Sequence, residues 1–172
     1  NPDGISDFLV GAPNRSMNYS YEGAAYMYLG SAGDISTEPA WMRTGDQEYA
    51  HMGNSLAAAG DVNLDSFDDF SFAAYSYSLE KPNEGIVYLQ NGSSSSHALD
   101  QSWFVIGDKA DAYLGYSISS AGDINADGFM DFVIGTPLYR SSDAILGKVF
   151  VFLGCSYEDT LTPRVLLPLI LK

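Results

Sequence analysis

Short apolar runs, separated by clusters of Gly, Asp, Asn and Ser, recur along the whole chain. Clear examples are residues 8–10, 86–89, 132–134 and 148–153, and each is followed within a few residues by Gly, Asn or Pro. Apolar runs of this length, bounded by turn residues, predict β-strands. No segment shows the 3.6-residue period of an amphipathic helix. The sequence therefore predicts an all-β chain.

The pattern repeats every 62 residues, and the alignment needs no insertion. Shifts of 62 and 124 residues superimpose several polar and glycine positions: Asn1, Asn63 and Asn125; Asp3, Asp65 and Asp127; Asp7, Asp69 and Asp131; Gly30, Gly92 and Gly154. A complete period holds four short strands with turn residues between them. Four antiparallel strands per repeat are typical of one blade of a β-propeller.

The period divides the chain into three predicted blades. Residues 1–44 form a partial blade without its first strand, 45–106 a complete blade, and 107–172 a third blade with an atypical C-terminal tail. In the middle blade the predicted strands are 51–59, 70–75, 86–91 and 101–106. The third blade lacks a clear fourth strand, because Pro168 and a Leu-rich end replace the polar turn. Since propellers have 4–8 blades, three blades are expected to be part of a larger propeller.

Each repeat contains one acidic loop, seen most fully at residues 123–131. Positions 1, 3 and 5 of this loop carry side-chain oxygens, position 6 is Gly128, and position 9 is Asp131. Oxygens on alternate residues of a tight loop converge, and Gly permits the positive φ that turns the chain. Calcium takes 6–8 oxygen ligands and tolerates irregular geometry. The loop therefore predicts a calcium site.

The loop allows two other interpretations. An EF-hand requires Glu at position 12, where this chain has Phe72 and Ile134. A plain turn rich in Asp and Asn is the simpler alternative, but three copies keep an Asp at position 9, for which a turn alone predicts no role. Magnesium is less favoured, since it retains its waters.

Two complete calcium sites and a third partial site are predicted. The expected ligands are Asn1, Asp3, Ile5 and Asp7 in the first loop, Asp61, Asn63, Asp65, Phe67 and Asp69 in the second, and Asp123, Asn125, Asp127, Phe129 and Asp131 in the third. Ile5, Phe67 and Phe129 would each contribute a backbone carbonyl. Because Ser66 stands where Gly128 stands, the second site is expected to be weaker than the third.

Charge and composition exclude several classes of function. The net charge is −14, from 22 acidic and 8 basic side chains. Nucleic acids and anionic membranes require a basic face, so neither is an expected partner. The longest apolar stretch, 165–171, is too short to span a bilayer, so no membrane insertion by this segment is expected. One cysteine, Cys155, allows neither an internal disulfide nor a cysteine zinc site.

Catalytic chemistry has little support in the sequence. The histidines are His51 and His97, and neither has a recurring acidic or nucleophilic neighbour. The chain has no G-x-S-x-G motif, no Gly-rich phosphate loop and no His-based metal motif. The sequence therefore predicts a protein that is not an enzyme.

Three consecutive segments of the third repeat closely resemble the FG-GAP repeat. They are residues 113–117, 121–131 and 132–137, and residues 8–13 and 52–55 give the related segments of the other copies. The middle copy departs at its second signature, where Ala73-Ala74-Tyr75 replaces Gly-Ala-Pro. The resemblance covers residues 1 to about 154. It implies a seven-bladed propeller like that of integrin alpha subunits, with calcium loops on one face and partner-binding loops on the other.

The resemblance and the calcium loops together imply an extracellular, non-catalytic propeller for adhesion or ligand recognition, at the cell surface or secreted. Exposed sites of this kind have affinities of about 10⁻⁴–10⁻³ M, which suit extracellular calcium. Alternatives are an accessory propeller domain of a secreted hydrolase, or a structural repeat of a surface layer or fibre. Asn14, Asn18 and Asn91 fit the N-glycosylation sequon of a glycoprotein.

A protein or glycan ligand is expected on the face opposite the calcium loops. Loops 14–22, 75–84 and 138–146 differ in sequence and are rich in Tyr, a residue favoured at recognition surfaces. The candidate ligand contacts are Tyr19, Tyr21, Tyr75, Tyr77, Tyr139 and Arg140. Trp41 and Trp103 recur at one blade position, which favours packing between blades over sugar stacking. Further blades of a parent chain, or other subunits, are the remaining expected partners.

Overall fold

The computed structural model of the chain describes residues 3–33, 35–93, 102–141, 144–155 and 164–169. These residues contain thirteen strands and no helix. The strands are β1 (Phe8–Ala12), β2 (Ala24–Tyr28), β3 (Trp41–Thr44), β4 (Met52–Gly60), β5 (Asp69–Ala74), β6 (Ile86–Gln90), β7 (Ser102–Ile106), β8 (Ser117–Gly122), β9 (Asp131–Thr136), β10 (Arg140–Ser141), β11 (Ala144–Ile145), β12 (Lys148–Leu153) and β13 (Arg164–Leu169). Accordingly, no helix in the described part of the chain has the length and hydropathy needed to cross a membrane.

The strands form three antiparallel sheets and one small hairpin. The sheet orders are β1-β2-β3, β4-β5-β6-β7 and β13-β12-β9-β8, and β10 pairs with β11. Each sheet is a meander, so every strand pairs with the next strand of its own sheet along the chain. The four strands of the middle sheet begin and end within one residue of the predicted bounds. The all-β, antiparallel prediction is confirmed.

The third sheet differs from the prediction at two places. Strand β13 pairs with β12 and supplies a fourth strand, where the sequence predicts no clear one. Val149 pairs with Leu169 and Val151 with Leu166, so residues 167–168 oppose a single residue at a bulge. A bulge on an edge strand accommodates Pro168, which has no backbone N–H to donate. The second difference is the hairpin β10–β11, which lies within the predicted loop 138–146.

The sheets pack face to face through recurring aromatic residues. Trp41 of the first sheet contacts Phe70 and Phe72 of the second, with ring centroids 5.2 and 4.9 Å apart. Trp103 of the second sheet contacts Phe132 and Phe152 of the third, at 6.4 and 5.4 Å. One apolar core therefore fills each junction between sheets. The prediction that the two tryptophans pack between blades is confirmed.

The outer face of the first sheet is open. Phe8 and Val10 are each 40% exposed, whereas Phe70 and Phe72, at the same places in the second sheet, are 6% and 1% exposed. Val10 also lines a depression of about 810 Å³ that includes Tyr26, Tyr28 and Met42. The repeat thus has a face that is covered in the second sheet and uncovered in the first.

Candidate calcium loops and recognition face

The acidic loops join the first two strands of their sheets and gather oxygens around one backbone N–H. Loop 61–69 connects β4 to β5, and loop 123–131 connects β8 to β9. The N–H of Asp65 donates to Asp61 Oδ1 at 3.1 Å and to Asn63 Oδ1 at 2.9 Å. In the other loop the N–H of Asp127 donates to the same two positions, Asp123 Oδ1 and Asn125 Oδ1, both at 3.1 Å. The oxygens of positions 1 and 3 therefore converge in both loops.

Two residues in each loop have left-handed backbone conformations. At position 6, Ser66 has a φ of 73° and Gly128 a φ of 92°, which confirms the turn predicted there. At position 4, Leu64 and Ala126 have φ values of 58° and 59°. The sequence gives no signal for position 4, since Leu and Ala rarely adopt a positive φ.

The position-9 carboxylates are buried and tie each loop to its sheet. Asp69 is 1% exposed and Asp131 is fully buried. Each accepts one N–H from position 2 of its own loop and one from the glycine after the third strand. The donors are Val62 and Gly92 for Asp69, at 2.9 and 2.7 Å, and Ile124 and Gly154 for Asp131, at 2.8 and 2.9 Å. This corrects the argument that a turn has no use for these carboxylates, because they satisfy buried N–H groups.

Burial makes the ionised form of the Asp69 carboxylate energetically unfavourable. Burial raises the pKa of Asp69 to about 7, the charges of Asp65 and Asp61 add to the rise, and the two N–H donors oppose it. Clustered carboxylates favour their charged forms when a cation lies among them. The electrostatics of loop 61–69 therefore suit a bound cation.

The first loop shares the geometry of the other two where the structure describes it. Asp3 Oδ1 accepts the N–H of Ile5 at 2.8 Å, and Asp7 Oδ1 accepts the N–H of Gly30 at 2.8 Å. The same pairs, shifted by 62 residues, are made by Asp65 and Asp69. Asn1 lies outside the described residues.

The donor set of each loop fits calcium chemically. Among the described residues, no three His, Cys, Asp or Glu side chains are clustered so that they alone would hold a metal. Each loop, however, combines Asp carboxylates with an Asn amide oxygen and a backbone carbonyl, which are hard oxygen donors. The side chains at positions 1, 3 and 5 lie on the exposed part of the loop. The two complete loops therefore offer the ligand types that calcium takes.

The opposite ends of the sheets carry a row of aromatic rings. In an antiparallel sheet the loops before and after a strand lie at opposite ends, so the acidic loops and the loop 75–85 are separated. Tyr21 stacks on Tyr49 with centroids 5.6 Å apart, and His51 stacks on Tyr75 at 5.3 Å. Tyr21 and Tyr49 are about half exposed, as is Tyr19. Three of the five candidate tyrosines, Tyr19, Tyr21 and Tyr75, thus lie on or beside exposed aromatic surface.

Two other predicted contact residues pack against the interior of the molecule. Tyr139 is 9% exposed, its hydroxyl donates to Asp108 Oδ2 at 3.0 Å, and Lys148 Nζ lies 4.2 Å from its ring centroid. Tyr77 packs against the core between the first and second sheets. Both tyrosines therefore contribute to packing, which their expected role as ligand contacts does not include. Arg140 is exposed at the start of the β10–β11 hairpin.

Sequence reasoning missed two buried carboxylates that accept hydrogen bonds from the loops 14–22 and 75–84. Glu22 and Glu84 are fully buried, and each accepts two loop N–H groups through Oε1. The donors are Met17 and Asn18 for Glu22, at 2.7 and 2.8 Å, and Leu79 and Glu80 for Glu84, at 2.8 and 2.7 Å. Their spacing of 62 residues was an available signal. The third copy has Leu146 at this place, and its loop forms the β10–β11 hairpin instead.

Comparisons with known proteins agree with this geometry. Residues 114–152 match the profile of the FG-GAP repeat. The chain is 34% identical over 153 residues to integrin alpha-4 of Xenopus laevis, which covers 85% of the chain and 14% of that protein. It is 28% identical over 182 residues to integrin alpha-IIb of Mus musculus, covering 96% of the chain and 17% of that protein.

A third relative is named as a phospholipase and not as an integrin. The chain is 32% identical over 152 residues to phosphatidylinositol-glycan-specific phospholipase D of Bos taurus, covering 84% of the chain and 18% of that protein. The chain thus spans less than a fifth of each of these relatives. Its sheets, loops and sequence together show that the chain belongs to the FG-GAP repeat family and is similar to the β-propeller blades of integrin alpha subunits.

Proposed function

We propose that the chain is a calcium-binding segment of a β-propeller that serves adhesion or ligand recognition outside the cell. The observation that carries the proposal is the recurrence of one loop geometry at 61–69 and 123–131. Both loops place oxygens at positions 1, 3, 5 and 9 and share the same pattern of internal hydrogen bonds. Similarity to integrin alpha subunits supports a location at the cell surface or in a secreted protein.

The proposed ligands are those expected from the repeat. They are Asp61, Asn63, Asp65, Asp69 and the carbonyl of Phe67 in one loop, Asp123, Asn125, Asp127, Asp131 and the carbonyl of Phe129 in the other, and Asp3, Asp7 and the carbonyl of Ile5, with Asn1, in the partial loop. Bound calcium would offset the repulsion among these carboxylates. In a chain of net charge −14, that offset stabilises the folded loops.

Calorimetric titration with calcium, followed by thermal unfolding, tests this proposal. Two sites should bind calcium. Where free calcium is a hundredfold the dissociation constant of a site, chelation should lower the free energy of unfolding by about 2.7 kcal/mol for that site. Asp65→Ala and Asp127→Ala should each remove one site. An unchanged melting temperature in excess chelator, with no heat of binding, would overturn the calcium proposal.

We further propose that the ligand face is the end of the sheets opposite the calcium loops. Tyr19, Tyr21 and Tyr49 are exposed there, and Arg140 is exposed at the third sheet. Exposed tyrosines present large, rigid, amphipathic contact area, which suits a protein or glycan ligand. A glycan and matrix-protein binding screen, run with calcium and with chelator, tests this. Tyr21→Ala should then weaken a detected ligand by about 1 kcal/mol or more, the usual threshold for an interface anchor.

The open face of the first sheet supports a further blade as partner. Phe8 and Val10 are exposed at places where Phe70 and Phe72 are covered by the first sheet and Trp41. We infer that a blade face with a tryptophan at the Trp41 position covers this surface. That blade would come from the parent chain or another subunit. The inferred blade boundaries remain 1–44, 45–106 and 107–172. Light scattering of the 172-residue chain should show association between chains. A stable monomer would contradict the inferred covering blade.

The second candidate function is an accessory, non-catalytic propeller of a secreted hydrolase, favoured by the similarity to a phospholipase D. Within the described residues, His51 is committed to structure, since its Nδ1 lies 3.1 Å from Pro13 O and its ring stacks on Tyr75. His97 lies outside the described residues. An assay of the isolated chain against phosphatidylinositol-glycan substrates should show no hydrolysis, and turnover would contradict a non-catalytic role.

A further inference from the structure

The two complete calcium loops belong to different sheets, yet they are joined by direct hydrogen bonds. The N–H of Met130, at position 8 of loop 123–131, donates to Asp61 O at 3.3 Å. The N–H of Cys155, which follows the third strand of the third sheet, donates to Val62 O at 3.1 Å. Asp61 and Val62 are positions 1 and 2 of the other loop. Each loop is therefore anchored partly by the neighbouring sheet.

One of these bonds completes a chain of contacts between the two position-9 carboxylates. Asp69 Oδ2 accepts the N–H of Val62, and Val62 O accepts the N–H of Cys155. Gly154, the residue before Cys155, donates its own N–H to Asp131 Oδ1. Two buried carboxylates, one from each loop, are thus linked through the backbones of three residues, Val62, Cys155 and Gly154.

The residues of this link are closely packed. A Cβ built on Gly154 would lie 2.6 Å from Met130 O and 2.8 Å from Val62 O. The backbone of Gly154 therefore packs closely against both loop 123–131 and loop 61–69. A Cβ built on Gly60, just before Asp61, would lie 2.8 Å from Met130 Cγ. Met130 therefore covers the start of the other loop with its side chain as well as bonding to it. Displacement of either loop displaces groups that hold the other.

We propose that the two calcium sites are energetically coupled, each raising the affinity of the other, through the contacts of Val62, Gly154, Cys155 and Met130. This inference rests on the proposed calcium binding. Calcium at loop 123–131 fixes Asp131 and the peptide of Met130, and these fix Gly154 and Asp61. The second ion then binds a loop that is already ordered, so less conformational entropy is lost. Val62, Gly154, Cys155 and Met130 act here as positioning residues.

Site-specific calcium titrations followed by NMR measure the coupling. The N–H of Gly92 is bonded to Asp69 and the N–H of Ile124 to Asp131, and neither residue belongs to the proposed link, so their amide resonances report the two loops separately. Asp127→Ala should weaken binding at loop 61–69, and Asp65→Ala should weaken binding at loop 123–131, each at least about fivefold. The two factors should be equal, because coupling is reciprocal.

Variants at residue 155 test the route of the coupling. Cys155→Pro removes the N–H that bonds to Val62 O, and Cys155→Ala retains it as the matched control. The coupling should shrink in the proline variant and persist in the alanine variant. A route through these contacts is overturned when the two variants show the same coupling.

Amide hydrogen exchange gives a second measurement that does not depend on the proline variant folding. In Asp127→Ala, where only loop 61–69 retains its full ligand set, calcium should slow exchange of the Cys155 and Met130 amides. Unchanged exchange there, or single-site affinities equal to those of the unmodified chain, would overturn the coupling while leaving calcium binding intact. An absence of binding at both loops in the unmodified chain would instead overturn the proposed function.

Discussion

Ser66 and Gly128 occupy the same place in two acidic loops, 62 residues apart, and both have left-handed backbone conformations, with φ of 73° and 92°. A side chain in this conformation costs roughly 1–2 kcal/mol, and glycine avoids that cost. No heavy atom lies within 4 Å of a Cβ built on Gly128, so the difference between the two positions is conformational strain and not crowding.

Exchanging the residue types at this position should therefore move calcium affinity in opposite directions. Ser66→Gly should strengthen binding at loop 61–69 about fivefold, which corresponds to about 1 kcal/mol. Gly128→Ser should weaken loop 123–131 by a similar factor. Calorimetry of the two variants checks both shifts. In the unmodified chain loop 123–131 should be the tighter site, and the reverse order would contradict this explanation.

The buried carboxylate of Asp131 should matter to folding even without calcium. Asp131→Asn keeps the shape but turns an NH₂ group toward one of the N–H donors, leaving a buried donor unsatisfied at a cost of about 1–3 kcal/mol. Asp127→Asn, at the exposed position 5, should weaken calcium binding with little effect on the calcium-free chain. Denaturant unfolding in chelator separates the two, and equal stability of both variants would show that the Asp131 bonds contribute nothing.

Trp103 should be a main contributor to the junction between the second and third sheets. Trp103→Ala removes the ring that contacts Phe132 and Phe152 and should cost about 3 kcal/mol of unfolding free energy. Phe104→Ala, on the next residue of the same strand and 53% exposed, is the matched control and should cost well under half as much. Thermal unfolding of both variants measures the difference.

Tyr139 and Tyr21 should respond differently to truncation. Tyr139→Ala should lower the melting temperature, because the buried ring and its bond to Asp108 are lost. Tyr21→Ala, at a half-exposed ring, should leave the melting temperature almost unaltered while weakening any ligand of this face. Tyr139→Phe isolates the hydroxyl and should cost about 1 kcal/mol. A ligand that depends on Tyr139 but not on Tyr21 would contradict the assigned roles.

Much of the fold was predictable because the same sequence pattern recurs in each repeat. The 62-residue alignment placed every strand of the middle sheet within one residue, and it placed Trp41 and Trp103 at junctions between blades. In each case at least two repeats carry the same residue type at the same position, so chance is a poor explanation of the match. The loop turn at Ser66 followed from its alignment with Gly128.

The features that escaped prediction depend on contacts between distant residues. The bonds of Asp69 and Asp131 to glycines 23 residues away are long-range contacts, so the loop sequence alone could not indicate them. The buried Tyr139 bonds through its hydroxyl to Asp108, which lies 31 residues earlier in the chain. Composition made Tyr139 look like a recognition residue, and only the packing of the loop distinguishes it from Tyr21.

The covering of the middle sheet on both faces has a consequence for the order of unfolding. Every residue of β5 and β6 is buried, whereas β1 and β8 are half-buried or exposed along their lengths. In stacked repeats, stability is approximately the sum of each repeat and its contacts with its neighbours. The middle sheet has two such contacts, so its central amides should exchange with solvent most slowly, and fraying should begin at the outer sheets.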